Sequence, residues 1–197
     1  MNLFYPKLRR AQLLESLRFA VIGSFIAATY GIIHDQATYS ISDEYFTKLK
    51  FLQFTYADLG WGPRFFVGTV GLLATWWVGF ISGWFLGRLS TKRLAQDVGR
   101  RAIWRGFALI FGCALLGGIT GWTIGLGITA ESVPSNWAPT LRHFEIEQGA
   151  EFITVAYIHN GGYAGAFVGF VIAAVWIGRK KLNVGAEEAP DRCPDAQ

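Results

Sequence analysis

The stretch that decides the fold is residues 65–86, which read FFVGTVGLLATWWVGFISGWFL and contain no acidic or basic side chain. A helix needs about 20 mainly apolar residues to cross the hydrocarbon core of a bilayer. Three further stretches are also mainly apolar, and they cover residues 17–33, 103–128 and 152–178. Arg18 and Arg105 lie at the start of two of them, where a long side chain can reach the interface. The sequence therefore predicts an all-α membrane protein with four transmembrane helices.

The composition agrees with this fold class. Of the 197 residues, 52% are hydrophobic and only 16% are charged, a balance well away from that of soluble domains. A bundle of four spans accounts for one domain over residues 1–181. Residues 182–197 carry acidic residues and prolines with little apolar surface to bury, which predicts a disordered cytoplasmic tail.

Basic residues indicate how the spans are oriented. They lie at or before the start of the first span, between the second span and the start of the third, and after the fourth span: Lys7, Arg9, Arg10, Arg18, Arg88, Lys92, Arg93, Arg100, Arg101, Arg105, Arg179, Lys180 and Lys181. The connections at 34–64 and 129–151 carry far fewer. Because loops rich in Lys and Arg stay in the cytoplasm, we expect two helical hairpins with both termini cytoplasmic and these two connections outside.

The net charge of +4 does not indicate a nucleic-acid partner. The basic side chains lie at the ends of apolar stretches, as topology signals do, and form no patch suited to a nucleic-acid groove. The expected partner is the lipid bilayer. Cys113 lies in an apolar span and Cys193 in the polar tail, so neither a disulfide nor a shared metal is expected from this pair.

The first outer connection has a pattern of its own. Ser42 is suited to cap a helix, and Asp43 and Glu44 would follow in the first turn, where the helix dipole favours acidic side chains. Aromatic and aliphatic residues over 45–54 are then interleaved with Lys48 and Lys50. This pattern predicts a short amphipathic helix in the membrane interface, with aromatic side chains available to pack on the bundle.

Small residues recur at every fourth position along each span. Helices in lipid associate by close packing, which small residues permit. The positions that best fit this role are Gly79, Gly83, Gly117, Gly121, Gly161 and Gly165. They predict glycine-zipper packing in a tight four-helix bundle, and a homo-oligomer or an assembly with other membrane subunits is the expected association state.

Histidines and carboxylates gather near the outer face that this topology predicts. His34, Glu44, Glu151 and His159 are ligand types that hold zinc, copper or iron, although no compact motif such as H-E-x-x-H joins them. The neighbouring polar residues are Asp35, Asn160 and Tyr163. Since an ionisable group inside a span is costly unless it is paired, His159 is a candidate functional residue.

The same residues have a purely structural interpretation. His159, Asn160 and Tyr163 could form hydrogen bonds between helices, while His34 and Asp35 cap the first helix and anchor it at the interface. A metal site would require three-dimensional convergence that the sequence alone does not establish. Both interpretations remain open at this point, and no cofactor is identified beyond a possible transition metal.

The stretch HDQATYSISDEYFTKLKF at residues 34–51, together with LATWWVG at 73–79 and His159-Asn160, resembles a group of uncharacterised bacterial four-helix membrane proteins. The likeness covers most of the chain except the tail. It implies a multi-pass location in a bacterial inner membrane and no particular activity. It also implies that any shared function resides in the outer loop and at His159.

Three functions are compatible with these features. The first is a structural or accessory subunit of a membrane complex, which needs no site and fits the scarcity of charge in the spans. The second is an outward-facing metal-binding or redox enzyme that uses the histidine and carboxylate cluster. The third is a small oligomeric transporter, which would need polar groups in the middle of the membrane. The sequence favours the first function.

Overall fold

The computed structural model describes residues 9–180, so the predicted disordered tail at 182–197 lies outside the described residues. Within this range the chain is helical and contains no strand. The α-helices are α1 (Arg10–Tyr39), α2 (Phe51–Gln53), α3 (Pro63–Arg93), α4 (Gln96–Thr129), α5 (Ala138–His143) and α6 (Gly149–Arg179). In the described chain four of them, α1, α3, α4 and α6, are long and apolar enough to cross a membrane. The predicted all-α fold with four candidate spans is thus confirmed.

Helix α1 is longer than the predicted span at 17–33. It continues to Tyr39, so His34 and Asp35 lie inside the helix, and the expectation that they cap its end is wrong. Side chains bond the carbonyl groups of this last part of the helix. The Thr38 hydroxyl donates to the His34 carbonyl at 3.0 Å, and the Arg64 guanidinium donates to the Gln36 carbonyl at 3.1 Å.

The long helices pack mainly in two pairs. Helix α1 lies along α3, and α4 lies along α6, whereas contacts between the two pairs are sparser. Within each pair the chains run in opposite directions. Gly31 faces Gly71 and Gly23 faces Gly79 in the first pair. In the second pair Gly117 faces Gly161 and Gly125 faces Thr154. The largest apolar core cluster joins both pairs at the end where α3 turns into α4, and it is built around Phe19, Leu86, Ala102, Ile103, Phe107, Ala173 and Ile177.

Glycines lie at the closest approaches within each pair. A Cβ atom placed on any of the six glycines singled out from the sequence would meet a backbone carbonyl oxygen of the facing helix. The facing carbonyls are those of Gly23 for Gly79, Phe19 for Gly83, Gly161 for Gly117, Tyr157 for Gly121, Gly117 for Gly161 and Cys113 for Gly165. A side chain at these positions would therefore force the backbones apart.

The opposite end of the bundle, here called the loop end, is formed by the connections at residues 40–62 and 130–148. The first connection contains a π-helical turn at Tyr45–Lys50 that runs directly into α2. The Ser42 hydroxyl accepts a hydrogen bond from the Tyr45 amide at 3.3 Å, as expected for a capping residue. Phe46 is fully buried, so this turn packs on the bundle. Its depth in a membrane stays a prediction.

Candidate metal centre

Helices α1 and α6 bring three ligand-type side chains together just below the loop end. His34 and Asp35 come from α1 and His159 comes from α6, and one ligand atom from each lies within 4.8 Å of the others. The Asp35 and His159 residues are only 5% and 2% exposed, and His34 is half-buried. Ionisable groups that are buried this close together each need a compensating charge or a hydrogen bond.

The hydrogen bonds of His159 define which of its nitrogens is available. Its Nδ1 atom lies 3.0 Å from the Val155 carbonyl oxygen, and because a carbonyl only accepts, Nδ1 carries a proton. Its Nε2 atom lies 3.3 Å from Asp35 Oδ1. A lone pair on Nε2 and a carboxylate oxygen repel each other at this distance. A proton or a metal cation must therefore lie between Nε2 and Oδ1.

His34 is the third member of the cluster and packs against the His159 ring. The two imidazole rings meet edge to face with centroids 4.8 Å apart. The Tyr30 ring stacks on His34, and the Tyr30 hydroxyl lies 3.5 Å from His34 Nδ1. The Tyr30 hydroxyl can donate to Nδ1 or accept from it. It therefore suits either neutral tautomer of His34. Tyr30 thus orients His34, as a neighbouring group commonly orients a metal-ligating imidazole.

Aromatic side chains from the π-helical turn cover His159 on the loop-end side. The ring centroids of Tyr45 and Phe46 lie 4.8 Å and 6.1 Å from that of His159, and both residues are buried. Burial raises the pKa of the Tyr45 hydroxyl, which keeps it protonated. We refer to Tyr45 and Phe46 as the aromatic roof. It separates the cluster from the solvent above the loop end.

Carboxylate and ammonium groups attach this roof to the start of α6. The Glu44 carboxylate accepts hydrogen bonds from the backbone amides of Glu147 at 3.1 Å and Gln148 at 2.7 Å. This position at a helix N-terminus favours a negative charge. Lys48 donates to the Glu145 carbonyl oxygen at 3.4 Å. The Lys50 ammonium group lies over the Tyr45 ring, 5.8 Å from the ring centroid, and burial lowers the pKa of Lys50.

A cavity of about 110 Å³ extends from the cluster toward the middle of the bundle. All four long helices line it. Polar side chains of Tyr30, His34, Asp35, His159 and Tyr163 are located at its loop end. Its remaining walls are mostly apolar, and they include Ile26, Ala74, Val78, Phe107, Phe111 and Ala166. The cluster therefore lies at the polar end of an apolar cavity.

The residues singled out from the sequence separate into two groups. His34, His159 and Asp35 meet, and Tyr163 lines the adjoining cavity. Glu44 instead bonds the start of α6, while Glu151 and Asn160 are exposed, and none of these three belongs to the cluster.

Sequence reasoning missed the roof and treated Asp35 as a supporting residue. The signal for Asp35 was present, since an acidic residue directly follows a candidate ligand at the end of an apolar stretch. Tyr45 and Phe46 were noted only as apolar residues of the loop. Comparison with protein-family models, curated proteins and solved structures found no match to this chain.

Proposed function

We propose that this chain is a membrane protein that binds a divalent transition metal through His34, Asp35 and His159. The observation that carries the proposal is the convergence of these three ligand atoms within 4.8 Å in a buried position. Two ligand bonds of about 2.1 Å span about 4.2 Å, so a small side-chain movement closes the widest pair around one ion. The metal also supplies the positive charge required between His159 Nε2 and Asp35 Oδ1.

Hydrogen bonding around the cluster supports this function. In metal sites the nitrogen of a ligating histidine that faces away from the ion commonly donates to a carbonyl or carboxylate. His159 has this arrangement, with Nδ1 bonded to Val155 and Nε2 directed at the cluster. Such a bond fixes both the tautomer and the orientation of the ring before any metal arrives.

The ligand set favours zinc or ferrous iron and an open coordination position. Two imidazoles and one carboxylate suit both ions, and three protein ligands leave at least one position for water or substrate. Closed structural sites normally have four protein ligands. We therefore propose an active metal centre, which corresponds to the outward-facing metal-binding or redox enzyme among the functions that the sequence allows.

An accessory or structural subunit is the second candidate, and a specific observation favours it. The His159–Asp35 contact joins α1 to α6 and, with one shared proton, satisfies both side chains without a metal. In that case the cluster acts as a hydrogen-bonded link between the two helix pairs. The scarcity of contacts between the pairs gives such a link a structural purpose.

The proposed orientation places the metal centre toward the outside of a bacterial inner membrane. Arg88, Arg93 and Arg100 lie at the end opposite the loop end, and Arg100 forms an ion pair with Glu15 at 2.6 Å. This distribution of basic residues supports cytoplasmic termini. The backbone contacts at the glycines support two tight hairpins of the glycine-zipper type, α1 with α3 and α4 with α6.

Elemental analysis of purified protein tests the proposed function. Wild type should carry close to one transition-metal ion per chain, and His34→Ala and His159→Ala, which each remove an imidazole ligand, should lose it. His143→Ala provides a matched control, because His143 is an exposed histidine on α5 that does not belong to the cluster. A folded wild type that stays free of metal after incubation with zinc and ferrous iron would refute the metal centre and favour the structural link.

A further inference from the structure

The shape of the cavity below the metal centre indicates the class of molecule that reaches it. Its lining runs from Gly23 to Asp35 along α1 and from His159 to Ala166 along α6. At 1.5 Å per helical residue these stretches span about 18 Å and about 11 Å. A cavity of about 110 Å³ distributed over that length is narrow. It fits an extended hydrocarbon chain better than a fused-ring compound.

The exposure of the lining residues indicates that a molecule reaches the cavity from the side of the bundle. The aromatic roof covers the cluster at the loop end, where Tyr45 and Phe46 are buried. In contrast, three residues that line the cavity are also exposed on the bundle surface, with exposed fractions of 37% for Val78, 42% for Phe111 and 49% for Tyr163. In a membrane that surface faces lipid. A molecule that enters beside these residues must therefore be dissolved in the bilayer.

Charge balance indicates the polar head of that molecule. A divalent metal bound by two neutral imidazoles and the Asp35 carboxylate leaves a net charge of +1 on a buried centre. An uncompensated charge in an apolar environment is costly. An anionic oxygen ligand at the open coordination position would make the centre neutral, and a carboxylate is such a ligand. The Tyr30 and Tyr163 side chains border the same end of the cavity.

We propose that the cavity binds the hydrocarbon chain of a single-chain fatty acid whose carboxylate completes the coordination of the metal at His34, Asp35 and His159. The carboxylate part of this proposal depends on the proposed metal centre, whereas the chain part depends on the cavity alone. A cavity of about 150 Å³ holds one benzene ring, so about 110 Å³ holds only the few carbons next to the carboxylate, and the rest of the chain extends into the lipid.

Binding of radiolabelled dodecanoate to protein in phospholipid nanodiscs tests both parts. Nanodiscs are used because a detergent is itself a single-chain amphiphile and would compete. Zinc-loaded wild type should bind about one dodecanoate per chain in a saturable manner. Ala74→Leu, which fills the apolar part of the cavity, should weaken this binding at least tenfold. Gly112→Leu is the matched control, since a Cβ at Gly112 meets no heavy atom within 4 Å and Gly112 does not line the cavity.

Removing zinc with a chelator separates the two parts. Dodecanoate binding should weaken at least tenfold in the zinc-free protein, and binding of 1-dodecanol should change less than twofold. Thermal melting monitored by circular dichroism verifies that Ala74→Leu is folded, and Ala166→Leu replaces it if it is not.

Each part of the proposal has its own contrary result. Non-saturable binding, or equal binding by wild type and Ala74→Leu, would overturn the chain site. Suppose that Ala74→Leu blocks dodecanoate binding but removal of zinc leaves it unchanged. This result would overturn the proposal that the carboxylate coordinates the metal. The elemental analysis described above tests the metal centre separately. A protein that binds no metal is therefore recognised before any fatty acid is added.

Discussion

Metal binding at the proposed centre should release one proton, and this number follows from the hydrogen bonds of His159. Without metal, a proton must lie between His159 Nε2 and Asp35 Oδ1, which are 3.3 Å apart. The Nδ1 proton stays in place because it is bonded to the Val155 carbonyl at 3.0 Å. His34 is neutral in either tautomer. An ion that enters therefore displaces only the shared proton.

Isothermal titration calorimetry measures this release directly. Zinc is titrated into the protein at one pH in two buffers of different ionisation enthalpy, and the difference in heat gives the protons released per ion. Wild type should release about one proton more than Asp35→Asn. In that variant the asparagine amide can donate its own hydrogen to Nε2, so no shared proton is present for the zinc to displace. Comparing the two proteins removes most of the contribution of a metal-bound water, whose pKa is near 7.

The same proton sets the pH dependence of the affinity. Release of one proton makes zinc binding about tenfold tighter per pH unit for as long as the free protein retains that proton. His143→Ala should behave like wild type. Stoichiometric zinc binding with equal proton release by wild type and Asp35→Asn would refute the assignment of a cation between Nε2 and Oδ1, and with it the electrostatic basis of the site.

Two further predictions concern the scaffold. Gly121→Ala places a Cβ against the backbone carbonyl of Tyr157, so we expect a loss of about 1–3 kcal/mol in stability, whereas Gly112→Ala should be neutral or slightly stabilising. Thermal unfolding in detergent compares the two variants, and equal melting temperatures would contradict the role of close packing at Gly121. Thr47→Cys, at an exposed position on the π-helical turn, should react with a membrane-impermeant thiol reagent in intact cells. Labelling of this cysteine only after the cells are broken would reverse the proposed orientation.

Part of the site could be foreseen from residue types. His34 and His159 stand out because ionisable side chains are rare in apolar stretches and seldom lie there without a partner. The structure brings these two together. The carboxylate that joins them is Asp35, while Glu44 and Glu151 were also candidates. The sequence gives no means of choosing among these carboxylates, because the choice depends on how far α1 continues beyond Ile33 and which of its faces contacts α6.

The sequence by itself determined the four apolar helices, since their length and composition follow from the thickness and low polarity of the bilayer. It also singled out six glycines that face the backbone of a neighbouring helix, because close packing in lipid favours small residues. Only the tertiary structure decided that His34, Asp35 and His159 meet, that Tyr45 and Phe46 cover them, and that an apolar cavity extends below. These features join residues more than 100 positions apart, as the 124-residue separation of Asp35 and His159 illustrates. Contacts at that distance depend on the rotation and relative height of the packed helices, which no local pattern encodes.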